Sequence, residues 1–279
     1  MNVQTGFALV LALASATLTN VGYLREHDAA SALPPLSLRH PLQAGHALLT
    51  DRGWLIGFAL ETFGFALYVA ALAFAPLTLV QSVAAGGIGI LAFVSARFGN
   101  RRLGRHELVG VLVAMLGLLA LAISLSAGSA EGTGGSTAVI VIWLAGTAGA
   151  ALVALELGRR FDARSIGDGV AGGLFFSIGD ISVKVATEGG ARVVFAAGVV
   201  AGYALGTALI QLGYQKGGAL TVAGLATLLT NALPIAAGTV VLGEPIPPGV
   251  FGGVRIAAFA AVTLGAILLA RPDHGAARG

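Results

Sequence analysis

Residues 218–241 read GALTVAGLATLLTNALPIAAGTVV, 24 residues with no charged side chain and with Pro234 in their second half. At about 1.5 Å per residue a helix of this length spans about 36 Å, more than the roughly 30 Å hydrocarbon core of a bilayer. A helix satisfies its backbone polar groups internally, which lipid requires. The segment therefore reads as a transmembrane helix. Comparable apolar runs fall at 3–23, 54–75, 77–98, 107–125, 137–157, 168–187, 193–213 and 248–270. Together they predict an all-α polytopic membrane protein of about nine transmembrane helices.

Composition leads to the same class. The 279 residues are 56% hydrophobic and 10% charged, against about 25% charged in an average soluble domain. The apolar runs leave no room for a separate soluble domain. Forty-two glycines suit a tightly packed bundle, because small residues let helices approach closely in lipid. The chain has no cysteine, which excludes disulfides and thiolate metal sites.

The net charge of +3 does not imply a nucleic-acid partner, because the basic residues are sorted by membrane side. Arg25, Arg39, Arg52, Arg97, Arg101, Arg102, Arg105, Arg159, Arg160, Arg164, Lys216, Arg271 and Arg278 fall on one side of the nine-span arrangement. Arg192 stands on the other, and Lys184 and Arg255 lie within spans. The positive-inside rule makes the basic side cytoplasmic, with the N-terminus outside and the tail 271–279 inside. Residues 1–6 hold no Lys or Arg, so the first run is read as a retained span and not a cleaved signal. Segment 24–53 is expected to be a long cytoplasmic loop, since Pro34, Pro35, Pro41, Arg39, His40 and His46 argue against a tenth crossing. Tyr23, Trp54 and Tyr214 are expected at the cytoplasmic interface as an aromatic belt.

Displacing the sequence by 143 residues aligns 77–112 with 220–255 without a gap. Leu77-Thr78 meets Leu220-Thr221, Leu103 meets Ile246, and Gly110-Val111 meets Gly253-Val254. The paired spans cross in opposite directions, as in an inverted repeat. The expected organisation is a first repeat in 1–125, a linking helix at 137–157 and a second inverted repeat of four helices in 168–270. Such repeats recur in secondary transporters, with the site near the midplane between them.

Late in the chain Pro234 is followed by Leu242-Gly243-Glu244-Pro245-Ile246 and a glycine-rich final span from Gly252-Gly253. That ending resembles the EamA-like proteins of the drug/metabolite transporter superfamily. In the first half Ala73-Phe74-Ala75-Pro76-Leu77-Thr78-Leu79-Val80-Gln81 is similar to the helix junction of the NIPA-like branch. The resemblance implies a transporter, and that branch implies magnesium. Glu61 stands about one turn before the place where that branch carries its acidic residue, and Ser82 stands where a proline is common.

Ionisable groups inside a bilayer are costly and ordinarily face a partner or a watery cavity. Asp180 lies near the middle of span 168–187, with Lys184 four residues on along the same face. The pair reads either as a structural ion pair or as a cation or proton site with its release partner. Glu61 is expected to face a cavity, and Arg255 to neutralise an acid or hold an anionic substrate. Asn231 precedes Pro234 by three residues, where a proline kink would expose backbone acceptors. Gln81 and Gln211 are weaker candidates. Gly198, Gly202 and Gly206 read as a packing stripe. His27, Asp28, His40, His46 and Asp51 match no zinc spacing and read as a solvated loop.

No Walker loop or Ser-His-Asp arrangement is found, so no cofactor and no enzymatic activity are expected. The leading expectation is a secondary transporter of the cytoplasmic membrane that moves a small polar or amphipathic metabolite by alternating access, with proton or cation coupling. A NIPA-like magnesium transporter is the alternative, with Glu61 and Asp180 as the acids for a carried cation. A non-transporting partner subunit or a membrane enzyme is the third reading. The partners expected are substrate and lipid, and a second copy of the chain is the one macromolecular partner admitted.

Overall fold

A computed structural model describes residues 3–37, 39–74, 87–98, 104–126, 135–186, 189–243 and 248–269. Among these residues the fold is all helical. The helices are α1 (Val3–Ala32), α2 (Pro41–Thr50), α3 (Arg52–Phe74), α4 (Gly87–Phe98), α5 (Arg105–Ser126), α6 (Thr137–Arg160), α7 (Arg164–Ala186), α8 (Ala196–Tyr214), α9 (Ala219–Val240) and α10 (Val250–Leu269). A 3₁₀ turn, Gly190–Phe195, leads into α8. Six segments of the described residues are long and apolar enough to cross a membrane: Gly6–Ala32, Thr137–Arg160, Arg164–Ala186, Gly190–Tyr214, Ala219–Val240 and Val250–Leu269. The chain is a multi-pass membrane protein.

Packing is most extensive between α1 and α3, α5 and α10, α7 and α8, and α7 and α9. The largest apolar core lies where α4, α5, α9 and α10 meet α1, with Ile88, Leu91, Leu220, Leu225, Leu228 and Val262 almost fully buried. The expected glycine stripe on α8 is a packing surface. Gly202 meets the backbone of Phe175 and Gly179 on α7, Gly206 meets the ring of Phe176, and Gly198 meets Ser182.

Segment 24–53 corrects the expected loop. α1 continues through the charged run Arg25–Asp28 to Ala32, and α2 occupies Pro41–Thr50. Tertiary contacts explain the extension. Gln215 Nε2 donates to the carbonyls of Ala30, Leu33 and Pro34 at 2.8, 3.2 and 3.1 Å, and its Oε1 accepts from Leu36 N at 2.9 Å. Ser31 Oγ donates to Tyr214 O at 3.0 Å, and His27 Nε2 lies 3.1 Å from Gly217 O. The last carbonyls of a helix lack partners of their own, and one glutamine beyond α8 supplies them here.

Two of the three aromatics expected in the belt are buried in the bundle. Trp54 is 5% exposed and stacks on Phe58 at 5.1 Å, while Tyr214 is 1% exposed and meets the His27 ring edge-on at 5.5 Å. These two rings pack against protein.

Candidate functional site in a central cavity

Glycines on α1 and α3 bring two acids together. A Cβ on Gly57 would stand 2.7 Å from Glu26 Cγ and 3.0 Å from Gly22 O, and one on Gly22 would stand 2.8 Å from Gly57 O and 3.0 Å from Glu61 N. Only bare backbone fits this approach. Glu26 and Glu61, each four residues beyond one of these glycines on its helix face, consequently meet across the interface. Glu61 is hydrogen-bonded by Tyr23, and its carboxyl is within hydrogen-bonding reach of that of Glu26. Gln211 Nε2 donates to Glu26 Oε2.

Asp180 of α7 is held by α8, since Tyr203 Oη donates to Asp180 Oδ1 at 2.6 Å. This tyrosine is the described partner of Asp180. Lys184 is exposed, one turn further along α7. On α9, Asn231 Nδ2 donates to Thr227 O at 2.7 Å, which leaves its side-chain oxygen available. Pro234 lies inside α9, which continues through it to Val240. A proline at 234 gives the Thr230 carbonyl no helical donor.

These residues converge on one cavity of about 1000 Å³. Tyr23, Glu61, Asp180, Tyr203, Thr207, Gln211, Thr227, Thr230 and Asn231 supply most of its polar lining, and Phe58, Phe65, Phe176 and Leu212 are among its apolar lining. α2 covers part of it through Ala44, Gly45, Leu48 and Leu49. The structure thus brings together three of the sequence candidates, Glu61, Asp180 and Asn231, with Gln211 beside them. Lys184 and Arg255 are not in the lining. Arg255 is 3% exposed and lies against α5, with Nε 3.3 Å from Ser124 Oγ. Gln81 falls outside the described residues.

Glu26 and Tyr203 were not singled out from the sequence, and Tyr23 was read there only as part of an interfacial aromatic belt. Ser15, Thr19, Gly22 and Glu26 follow one another at intervals of four, three and four residues, the spacing of one helix face, and that stripe was the available signal. Asp168 is a further buried acid away from the cavity, where Lys216 Nζ donates to its Oδ2 and ties α7 to the end of α8. Among the described residues no three His, Asp or Glu side chains form a metal-binding group. Any cation held here would therefore be shared between paired acids and neutral oxygens.

A family model described as magnesium transporter NIPA matches residues 3–145, just over half of the chain. The chain belongs to the NIPA family. This NIPA-family chain is a membrane transporter by that membership, and the EamA-like resemblance agrees with it, since NIPA proteins belong to the drug/metabolite transporter superfamily. It is similar to Probable magnesium transporter NIPA9 of Arabidopsis thaliana, 26% identical over 285 residues that cover 94% of this chain and 81% of the relative. It is also similar to Magnesium transporter NIPA3 of Homo sapiens and of Pongo abelii, each 31% identical over 109 residues, 39% of this chain and 27% of the relative. No solved structure is detectably similar to it.

Proposed function

We propose that this NIPA-family protein carries Mg²⁺, or a closely similar hydrated divalent cation, across the cytoplasmic membrane through the central cavity. The observation that carries the proposal is the convergence of Glu61 and Asp180 from separate halves of the chain on one cavity, with Asn231, Thr207 and Thr230 between apolar walls. Mg²⁺ dehydrates reluctantly and is typically bound through one or two carboxylates while it keeps several waters. Two acids in a wide chamber suit an ion that travels with its hydration shell. The family and the names of its relatives point to the same ion.

In this proposal nine helices cross the bilayer, the N-terminus is outside and the tail is cytoplasmic. α1 with α3–α5 forms one repeat, α7–α10 the inverted second, and α6 links them. Displacing α5 by 143 residues puts it on 248–269, where α10 runs Val250–Leu269, and displacing α3 puts it on 195–217, where α8 runs Ala196–Tyr214. The first two helices of each half also pack closely on each other, α1 on α3 and α7 on α8. Rocking of the two halves would expose the cavity to each side in turn.

One observation favours a second reading, transport of an amphipathic metabolite. Phe58, Phe65, Phe176 and Tyr203 give the cavity an aromatic wall that a hydrated ion does not need. Expression in a bacterial strain lacking its magnesium-uptake systems separates the two. The proposal expects growth at limiting Mg²⁺, with membrane expression verified. Absence of rescue by well-expressed, folded protein would remove magnesium as the substrate and leave the metabolite reading.

A further inference from the structure

An oxygen cluster lies buried behind the cavity wall. Glu26 is 2% exposed and Gln211 1% exposed. Gln211 Nε2 donates to Glu26 Oε2, yet Glu26 Oε1 and Gln211 Oε1 are both buried without a hydrogen-bond partner among the described residues. Glu61 faces Glu26, so two acid side chains meet, with Tyr23 bonded to Glu61 on one side and Gln211 Nε2 to Glu26 on the other. Tyr214, three residues beyond Gln211 on α8, adds a buried hydroxyl that also has no hydrogen-bond partner among the described residues.

Buried polar atoms in native proteins are nearly always satisfied, and paired acids away from water must either take up a proton or hold a compensating positive charge. The two acids cannot drift apart, because Gly22 and Gly57 hold the α1 and α3 backbones in contact. A proton shared by the acids or a cation held between them answers their repulsion. The cation also finds a ligand in the Gln211 amide oxygen, because a half-turn of the amide replaces its donor by its acceptor toward Glu26 and swings Nε2 into the place that Oε1 occupies.

We infer that Glu26, Glu61 and Gln211 form an inner cation site, in which a divalent ion exchanges part of its water for two carboxylates and an amide oxygen. The inference rests on the divalent-cation reading above and deepens it. Glu61, Gln211 and Tyr23 line the cavity, whereas Glu26 does not. An ion entering from the cavity therefore meets Glu61 and Gln211 before Glu26. Carboxylate and carbonyl oxygens are the ligands that small hard cations take, and two carboxylates balance the charge of one divalent ion. The wide chamber admits the hydrated ion, and the inner cluster tests whether it can shed water.

The test uses the full chain in detergent and in proteoliposomes, with Mg²⁺ as the probe. In wild type, Mg²⁺ is expected to raise the unfolding temperature, since a ligand bound to the folded state alone stabilises it. Glu26→Gln is expected to weaken that response by at least about tenfold in apparent affinity, the lower end of the loss caused by removing even an indirect partner of a metal ligand, with Mg²⁺ flux falling alongside. Gln211→Glu adds a third carboxylate, so it is expected to lower the unfolding temperature without Mg²⁺ and to show a larger Mg²⁺-induced rise than wild type. That opposite sign keeps the inference testable if Glu26→Gln does not fold. Unchanged Mg²⁺ response and flux in Glu26→Gln would overturn the inner site and leave magnesium transport standing. So would a Gln211→Glu response no larger than wild type. A wild-type response that Glu26→Gln removes, without Mg²⁺ flux in wild type, supports the site and overturns the transport reading. Absence of both response and flux in wild type overturns the two together.

Discussion

Asp180→Asn is expected to lower Mg²⁺ flux in proteoliposomes by at least about tenfold, each tenfold corresponding to about 1.4 kcal/mol, while the protein remains folded and inserted. The substitution removes one negative charge at nearly constant volume, and in a low-dielectric chamber the attraction between an acid and a divalent ion is much stronger than in water. Folding should survive because the Asn side-chain oxygen can still accept the hydrogen bond that Tyr203 Oη makes to Asp180 Oδ1 at 2.6 Å. Lys184→Ala is the comparison, since Lys184 is exposed and outside the cavity lining. It should change flux far less. Equal losses in the two variants would restore the reading of Asp180 and Lys184 as a single relay. Unchanged flux in Asp180→Asn would take Asp180 out of the path.

The second large effect is on stability. A Cβ added at Gly202 would stand 2.6 Å from Gly179 N and 2.7 Å from Phe175 O. Both atoms are backbone, so no side chain can turn aside and α7 must separate from α8. Gly202→Val is expected to destabilise the protein by about 3 kcal/mol, the upper part of the usual overpacking cost. The same separation moves Tyr203 from Asp180, so flux should fall too. Gly146 on α6 has no atom within 4 Å of its added Cβ. Gly146→Ala should accordingly be neutral or stabilising by up to about 1 kcal/mol. Denaturation of both variants in detergent, followed by helical circular dichroism, checks the pair. Wild-type unfolding of Gly202→Val would show that the α7–α8 contact is looser than described.

Much of the fold was legible because hydropathy and length alone delimit helices in lipid. Segment 137–157 became α6, Thr137–Arg160, and 193–213 became α8, Ala196–Tyr214. The end of α1 was not legible. Arg25, Glu26, His27 and Asp28 break the apolar run, and a hydropathy reading stops there. They remain helical because Gln215, Tyr214 and Gly217, almost two hundred residues away, bond to this end of α1. That tertiary contact has no local signal.

The site was legible in the same uneven way. Glu61, Asp180 and Asn231 were found because polar groups deep in apolar spans demand an explanation, and all three line the cavity. Arg255 met the same criterion but lies against Ser124 on α5, because depth along a helix does not say which face a residue occupies. Glu26 was hidden by its charged neighbours, and Tyr203 by a sequence context of glycine and alanine that reads as packing.

The central claim is that the cavity is the path of the ion, and the absence of cysteine from the chain allows a direct test. Thr207→Cys places a single thiol in the cavity lining, with no background labelling elsewhere. Modification by a bulky water-soluble thiol reagent is predicted to block Mg²⁺ flux in proteoliposomes, and Mg²⁺ is predicted to slow the modification. Full modification of Thr207→Cys with Mg²⁺ flux unchanged would contradict the account.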